Sequence, residues 1–91
     1  MNAKDPASPQ SLVVKRSIVI GNRRSSVSLE DAFWNAIREI AAAKKTSLSD
    51  LITKIDDDRV VRKRVNLSSA IRLFVLDHYR RIAEHKRLKE K

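Results

Sequence analysis

One glycine punctuates this chain, and its position constrains the fold more than any other residue. Gly21 is followed by Asn22, and the pair separates Ser17-Ile18-Val19-Ile20 from Arg23-Arg24-Ser25-Ser26-Val27-Ser28-Leu29. A Gly-Asn dipeptide between two β-prone runs signals a tight turn. The second run alternates, with Ser25, Val27 and Leu29 on one face and Arg24, Ser26 and Ser28 on the other. A strand must pair, because its N–H and C=O groups otherwise go unsatisfied. Residues 24–29 can pair with residues 18–20 as a hairpin, with their own copy in a second chain, or with both. An isolated hairpin is marginal, so two copies sharing an antiparallel ribbon, backed by helices from both chains, are the expectation.

Helical periodicity takes over after the ribbon. Residues 30–45 carry Phe33, Ile37, Ile40 and Ala41 at helical spacing, with Lys44 extending the row. Glu30 and Asp31 lie in the first turn and Lys44 and Lys45 in the last, as the helix dipole favours. Ser47-Leu48-Ser49-Asp50 fits a capping box and starts a second helix, expected to end near Asp57, with Leu48, Leu51, Ile52 and Ile55 on one face. Residues 56–64 read as a hydrophilic link. Asn66 caps a third helix whose apolar set runs Leu67, Ala70, Ile71, Leu73, Phe74, Val75, Leu76, Tyr79 and Ile82. Such breadth predicts burial on more than one side. Residues 1–14 read as a disordered N-terminal arm holding both prolines, 15–82 as the folded domain, and 83–91 as a basic C-terminal tail.

The charge has a direction. The chain carries 20 Lys and Arg against 11 Asp and Glu, a net charge of +9. Residues 1–24 contribute +4, residues 25–58 contribute −3, and the remainder is basic again. Basic surface therefore lies on the ribbon, the link and the tail, which points to a polyanionic partner such as double-stranded DNA. There is no cysteine, so neither disulfides nor cysteine-based metal sites are available, and no apolar run can span a bilayer. A soluble, cytoplasmic protein is expected. A domain this small without disulfide or metal looks to oligomerisation for stability.

In a two-chain ribbon, Val27 and Leu29 point onto the helices, while Arg24, Ser26 and Ser28 form an outward row without an acid. A two-stranded ribbon fits the major groove, and an arginine can bridge guanine O6 and N7. Arg24, Ser26 and Ser28 are the candidate base contacts, although Ser28-Leu29-Glu30-Asp31 also fits helix capping by Ser28. Free N–H groups at a helix start bind phosphate, which marks Lys44, Lys45, Thr46 and Ser47. Lys15, Arg16 and Arg23 are the further candidate phosphate contacts beside the ribbon. Val27, Leu29, Phe33, Trp34, Ile37, Leu51, Ile52, Ile55, Ile71 and Phe74 are the candidate dimer core.

The order Arg-Ser-Ser-Val-Ser-Leu, Phe-Trp, Ile and Thr-Ser-Leu-Ser-Asp-Leu-Ile resembles the ribbon-helix-helix family, the class of the Arc and MetJ repressors. More closely, residues 15–76 are similar to a bacterial subfamily with a Lys-Arg-Ser start, a Ser-Val-Ser-Leu-Glu strand end and a closing Asn-Leu-Ser-Ser-Ala-Ile-Arg-Leu-Phe-Val-Leu segment. The resemblance implies a mainly α fold with a short β-ribbon, assembled as an intertwined homodimer, here with an additional C-terminal third helix. It further implies base reading by Arg24, Ser26 and Ser28 and phosphate anchoring at Thr46 and Ser47. A glycine is common in the family's interhelical turn, whereas Lys45-Thr46 stands here.

The rival chemistries are weak. Asp56-Asp57-Asp58 reads as a solvated helix end rather than a metal site, and His78 and His85 lie two helical turns apart. No nucleophile, base and acid order or glycine-rich phosphate loop is present, so neither an enzyme nor a cofactor is expected. The expectation is a DNA-binding transcriptional regulator that represses. Its rivals are an antitoxin or interaction module using the third helix, and a non-specific nucleic-acid binder.

Overall fold

The computed structural model describes residues 12–61 and 66–89. Strand β1 (Val13–Ile20) and strand β2 (Arg23–Glu30) pair antiparallel, and helices α1 (Asp31–Ala43), α2 (Leu48–Val61) and α3 (Leu67–Lys89) follow. Gly21 turns with φ 60° and Asn22 keeps negative φ. A positive φ at the first central residue alone is the type II′ pattern that glycine permits and that matches strand twist. The register runs from Val13 opposite Glu30 to Ile20 opposite Arg23.

The hairpin is therefore the pairing that forms within the chain. β1 satisfies one edge of β2, which answers the backbone argument for a second chain without one. Pairing with another copy is left only the outer edge of β2.

Alternation holds along both strands. Ile18, Ile20, Val27 and Leu29 are buried against the helices, where they meet Ile37, Ile40 and Ala41 of α1, Leu51, Ile52 and Ile55 of α2, and Ala70, Ile71 and Val75 of α3. Phe33, Trp34 and Phe74 pack partly buried at the margin of this core. The residues expected at a dimer core thus pack together inside one chain.

Three boundaries differ from expectation. β1 begins at Val13, so the folded part starts two residues before position 15. The part of the expected arm in residues 1–11 lies outside the described residues. α2 continues to Val61 because Asp56 is not solvated: it is 6% exposed, and its carboxylate receives Arg59 Nε at 3.0 Å and Nη2 at 2.7 Å. Those contacts neutralise Asp56, the first acid of the run that read as a link, while Asp57 and Asp58 stay exposed; the rest of that link, 62–64, lies outside the described residues. α3 runs to Lys89, so most of the expected tail is helix, and 90–91 lie outside the described residues. Only Ala70, Ile71 and Val75 of α3 are buried, while Leu73, Leu76, Tyr79 and Ile82 are exposed. Burial on several sides of this helix does not occur within one chain, because α1, α2 and the sheet all lie on one side of it.

Candidate nucleic-acid interface

The face of the hairpin turned away from the helices has four cross-strand pairs: Val13 with Glu30, whose carboxylate pairs with Arg72 at the α1 end, and then three pairs towards the turn, Lys15 with Ser28, Ser17 with Ser26, and Val19 with Arg24. All six side chains of these three pairs are exposed. No carboxylate stands among them. The alternation that buries Val27 and Leu29 is what turns Arg24, Ser26 and Ser28 outward.

Each edge of this ribbon is held by the start of a helix. On the β1 side, Ser49 Oγ of α2 donates to the Val19 carbonyl at 2.5 Å, and Gly21 N–H donates to Thr53 Oγ1 at 3.0 Å. Thr53 passes its own proton to the Ser49 carbonyl at 2.7 Å. On the β2 side, Ser28 N–H donates to Ser68 Oγ of α3 at 3.1 Å, and Arg72 Nη2 donates to the Ser28 carbonyl at 3.3 Å. Arg72 Nε also donates to Glu30 Oε1 at 3.0 Å. The Glu30 carboxyl is held below its ordinary value, chiefly by its own backbone N–H and then by Arg72, with partial desolvation opposing.

Capping by Ser28 does not occur. Glu30 occupies the N-cap of α1 with extended backbone and no side-chain cap bond, and the Ser28 side chain stays exposed. Ser47 does cap α2, accepting the Asp50 N–H at 3.0 Å, and Asn66 caps α3 by accepting the Ser69 N–H at 2.9 Å.

The turn before α2 is a Schellman closure. Lys45 N–H donates to Ala42 O at 3.1 Å and Thr46 N–H to Ala41 O at 3.0 Å, with Lys45 at φ 56°. Lys45 is the non-glycine residue that takes positive φ among the described residues, a conformation that favours glycine. Lys44, Lys45 and Ser47 are exposed and Thr46 is half-buried, so this cluster sits at the capped start of α2 beside the β1 edge.

Two arginines expected near phosphates make ion pairs within the chain. Arg16 has the same parity as Ile18 and Ile20, and turns inward. Its guanidinium pairs with Asp31, donates to the Leu29 carbonyl at 3.4 Å and lies 5.1 Å from the centroid of the Trp34 ring. It works as a clamp between β1 and α1. Arg23, at the tip, reaches back to Asp56 Oδ2 at 3.6 Å, although its side chain remains 66% exposed. Arg72 lies 5.9 Å from the Phe33 ring, so each aromatic of the Phe-Trp pair is covered by an arginine from outside α1. Sequence reasoning missed Ser68 and Arg72 at the ribbon edge. Nothing in local periodicity marks them, since their partner Ser28 is about 40 residues away.

A second surface lies between α2 and α3. It is an open groove of about 700 Å³ with Leu51, Ile55, Phe74, Leu73 and Leu76 along its walls and Lys44, Lys54, Arg80 and Arg81 at its rim. No helix among the described residues is long and apolar enough to cross a membrane.

No curated protein and no solved structure matches the chain. The model of the ribbon-helix-helix domain family matches residues 13–79, from the first residue of β1 into the middle of α3. Members of that family are generally DNA-binding regulators or antitoxins, regulatory modules rather than enzymes. With a two-stranded antiparallel sheet followed by packed helices, and with that match over more than two thirds of its length, the chain belongs to the ribbon-helix-helix family.

Proposed function

We propose that this protein is a cytoplasmic DNA-binding transcriptional repressor that places the outward face of its β-ribbon in the major groove. The observation that carries the reading is the acid-free stretch of Lys15, Ser17, Val19, Arg24, Ser26 and Ser28 on the outward face, in a chain of net charge +9. Arg24, Ser26 and Ser28 contact base edges, and Arg24 is the residue able to bridge a guanine. Lys15, Arg23, Lys44, Lys45, Thr46 and Ser47 contact phosphates, which set position rather than sequence. Arg16 is left out of this set, because its guanidinium is engaged with Asp31 and Trp34.

The working unit in this proposal is a homodimer on a site of two half-sites. Support comes from two surfaces. The exposed Leu73 and Leu76 beside the α2–α3 groove offer apolar area, and the outer edge of β2 is open at Arg24 and Ser26. Selection of bound duplexes from a random pool tests the DNA reading. The expected result is an enriched two-fold-symmetric sequence bound with steep salt dependence. Recovery of no preferred sequence would favour a non-specific binder instead.

The α2–α3 groove favours a second reading, an antitoxin or interaction module that holds a protein partner against α3. Co-purification of a small partner, lost when Leu73 and Leu76 are both changed to Lys, would support it.

A further inference from the structure

Closed and open edges fix how a second copy can join this sheet. β1 covers the inner edge of β2 along its whole length, and α3 covers the outer edge at Ser28 through Ser68 and Arg72. The outer edge stays open at Arg24 and Ser26. A two-chain ribbon formed there has the two β2 strands side by side in the middle and one β1 strand on each flank.

The width of such a sheet decides what β1 meets. Neighbouring strands lie about 4.8 Å apart. The two β2 strands therefore fit between the walls of the major groove, which is about 12 Å wide. The two β1 strands stand three spacings apart, about 14 Å. That exceeds the groove, so each β1 lies over a phosphate wall while β2 faces the bases.

Ser17 is the residue of β1 placed for a contact there. The β1 residues opposite Arg24 and Ser26 are Val19 and Ser17. Both are exposed on the outward face, and Ser17 is the polar one. Lys15 stands farther along, opposite Ser28, where α3 closes the edge. The outward residues of β1 are Val13, Lys15, Ser17 and Val19. They include no arginine, asparagine or glutamine, the side chains whose planar ends bridge two atoms of one base. The start of α2 lies on the same flank, since Ser49 Oγ donates to the Val19 carbonyl at 2.5 Å and Gly21 N–H to Thr53 Oγ1 at 3.0 Å. Ser17 thus shares its side of the groove with the cluster at 44–47.

We propose that Ser17 is a phosphate-binding residue whose hydroxyl donates to the DNA backbone at the groove wall, and that β1 straddles this wall without reading bases. Serine hydroxyls are common donors to phosphate oxygens, and such contacts fix position and carry no sequence information. The inference rests on the DNA reading and the dimer proposed above, and gives a task to the strand that the base contacts leave unused.

The test uses the full chain, the duplex selected from a random pool and a random duplex. S17A should weaken binding to both by a similar factor, about tenfold, the worth of a hydrogen bond to a charged group. Its preference at every base pair should match wild type, whereas R24A loses the preference at one guanine. Single phosphates of the selected duplex are then replaced by uncharged methylphosphonate. At one phosphate in each half-site the replacement should weaken wild type about tenfold more than it weakens S17A. An unchanged urea midpoint for S17A establishes that the variant is folded, as expected for an exposed serine. The inference is overturned if S17A binds as tightly as wild type, if it alters the preference at a base pair, or if every methylphosphonate weakens both proteins equally. Failure of the wild-type chain to bind any duplex in a salt-dependent way would overturn the DNA reading itself, and this contact with it.

Discussion

Lys45 should be replaceable by glycine with a gain in stability and a loss in DNA binding. Its φ of 56° places a side chain where L residues are crowded by their own carbonyl. That crowding costs about 1–2 kcal/mol. Glycine removes the cost but brings about 0.5–1 kcal/mol of extra freedom in the unfolded chain. The two Schellman bonds, from Lys45 N–H and Thr46 N–H, involve backbone alone and survive the substitution. The net expectation for K45G is a stabilisation of about 0.5–1 kcal/mol. For a domain of this size that is roughly 2–8 °C in Tm. The lost ammonium should at the same time flatten the dependence of log affinity on log salt by about 0.9 per chain. K45A separates the two effects, since it loses the charge and keeps the Cβ. It should match K45G in DNA binding and lack its gain in stability. Urea unfolding and fluorescence anisotropy over a salt series measure both quantities. Equal stability of K45A and K45G would refute the argument from backbone crowding. An unchanged salt slope in both would remove Lys45 from the phosphate contacts and leave a lysine at positive φ without a binding explanation.

Other expectations follow from single contacts. R24A should weaken binding to the selected site by about 1–3 kcal/mol and flatten the preference at one guanine, as read by gel shift against single-base variants; undiminished discrimination there would take Arg24 out of the readout. I52A empties a site that is fully buried in the core and should cost about 2–5 kcal/mol in urea unfolding, and a loss below 1 kcal/mol would mean that the helices pack less tightly than described. D56N leaves Arg59 without its carboxylate and loosens Arg23 at the hairpin tip; a cost of about 1–3 kcal/mol is expected, and a neutral change would make the buried acid incidental. Glu30 has a carboxyl held below its ordinary value near 4.5, so its contribution is present above that pH and is lost as pH falls through the lower folded value. R72M should therefore lessen the fall in stability between neutral and acidic pH, measured by thermal melts, and an identical acid profile would show that Arg72 does not hold Glu30.

The ribbon was legible because period-2 alternation is a strong constraint. Val27 and Leu29 had to face the core once Arg24, Ser26 and Ser28 faced away, and the Gly21-Asn22 pair fixed where the chain reverses. Periodicity assigns faces and says nothing of partners; the marginal stability of an isolated hairpin favoured a ribbon of two copies, whereas within the chain β1 lies alongside β2 along its whole length. The same parity could have flagged Arg16, which shares a face with Ile18 and Ile20, but its place in a basic cluster suggested solvent. Asp56 was hidden in a run of acids whose composition reads as exposed; Arg59 and Arg23, one local and one from the hairpin, bring it into the fold. The third helix misled in the opposite direction. Its many apolar residues suggested burial all round, yet Leu73 and Leu76 lie on the side away from Ile71 and Val75 and stay exposed.

The bond between Ser28 and Ser68 joins residues far apart in the order of synthesis. A ribosome delivers β2 well before it delivers α3, so for a time the growing chain displays an unfinished border with free amide and carbonyl groups at Ser28. Exposed borders of this kind invite pairing with any strand that passes, and contacts of long sequence separation form late. The vulnerable interval ends only when Ser68 and Arg72 emerge and fold back. A nascent chain stalled before residue 68 should then expose more of this border on polysomes than the finished chain does, and the third helix acts as a seal applied last at Ser28.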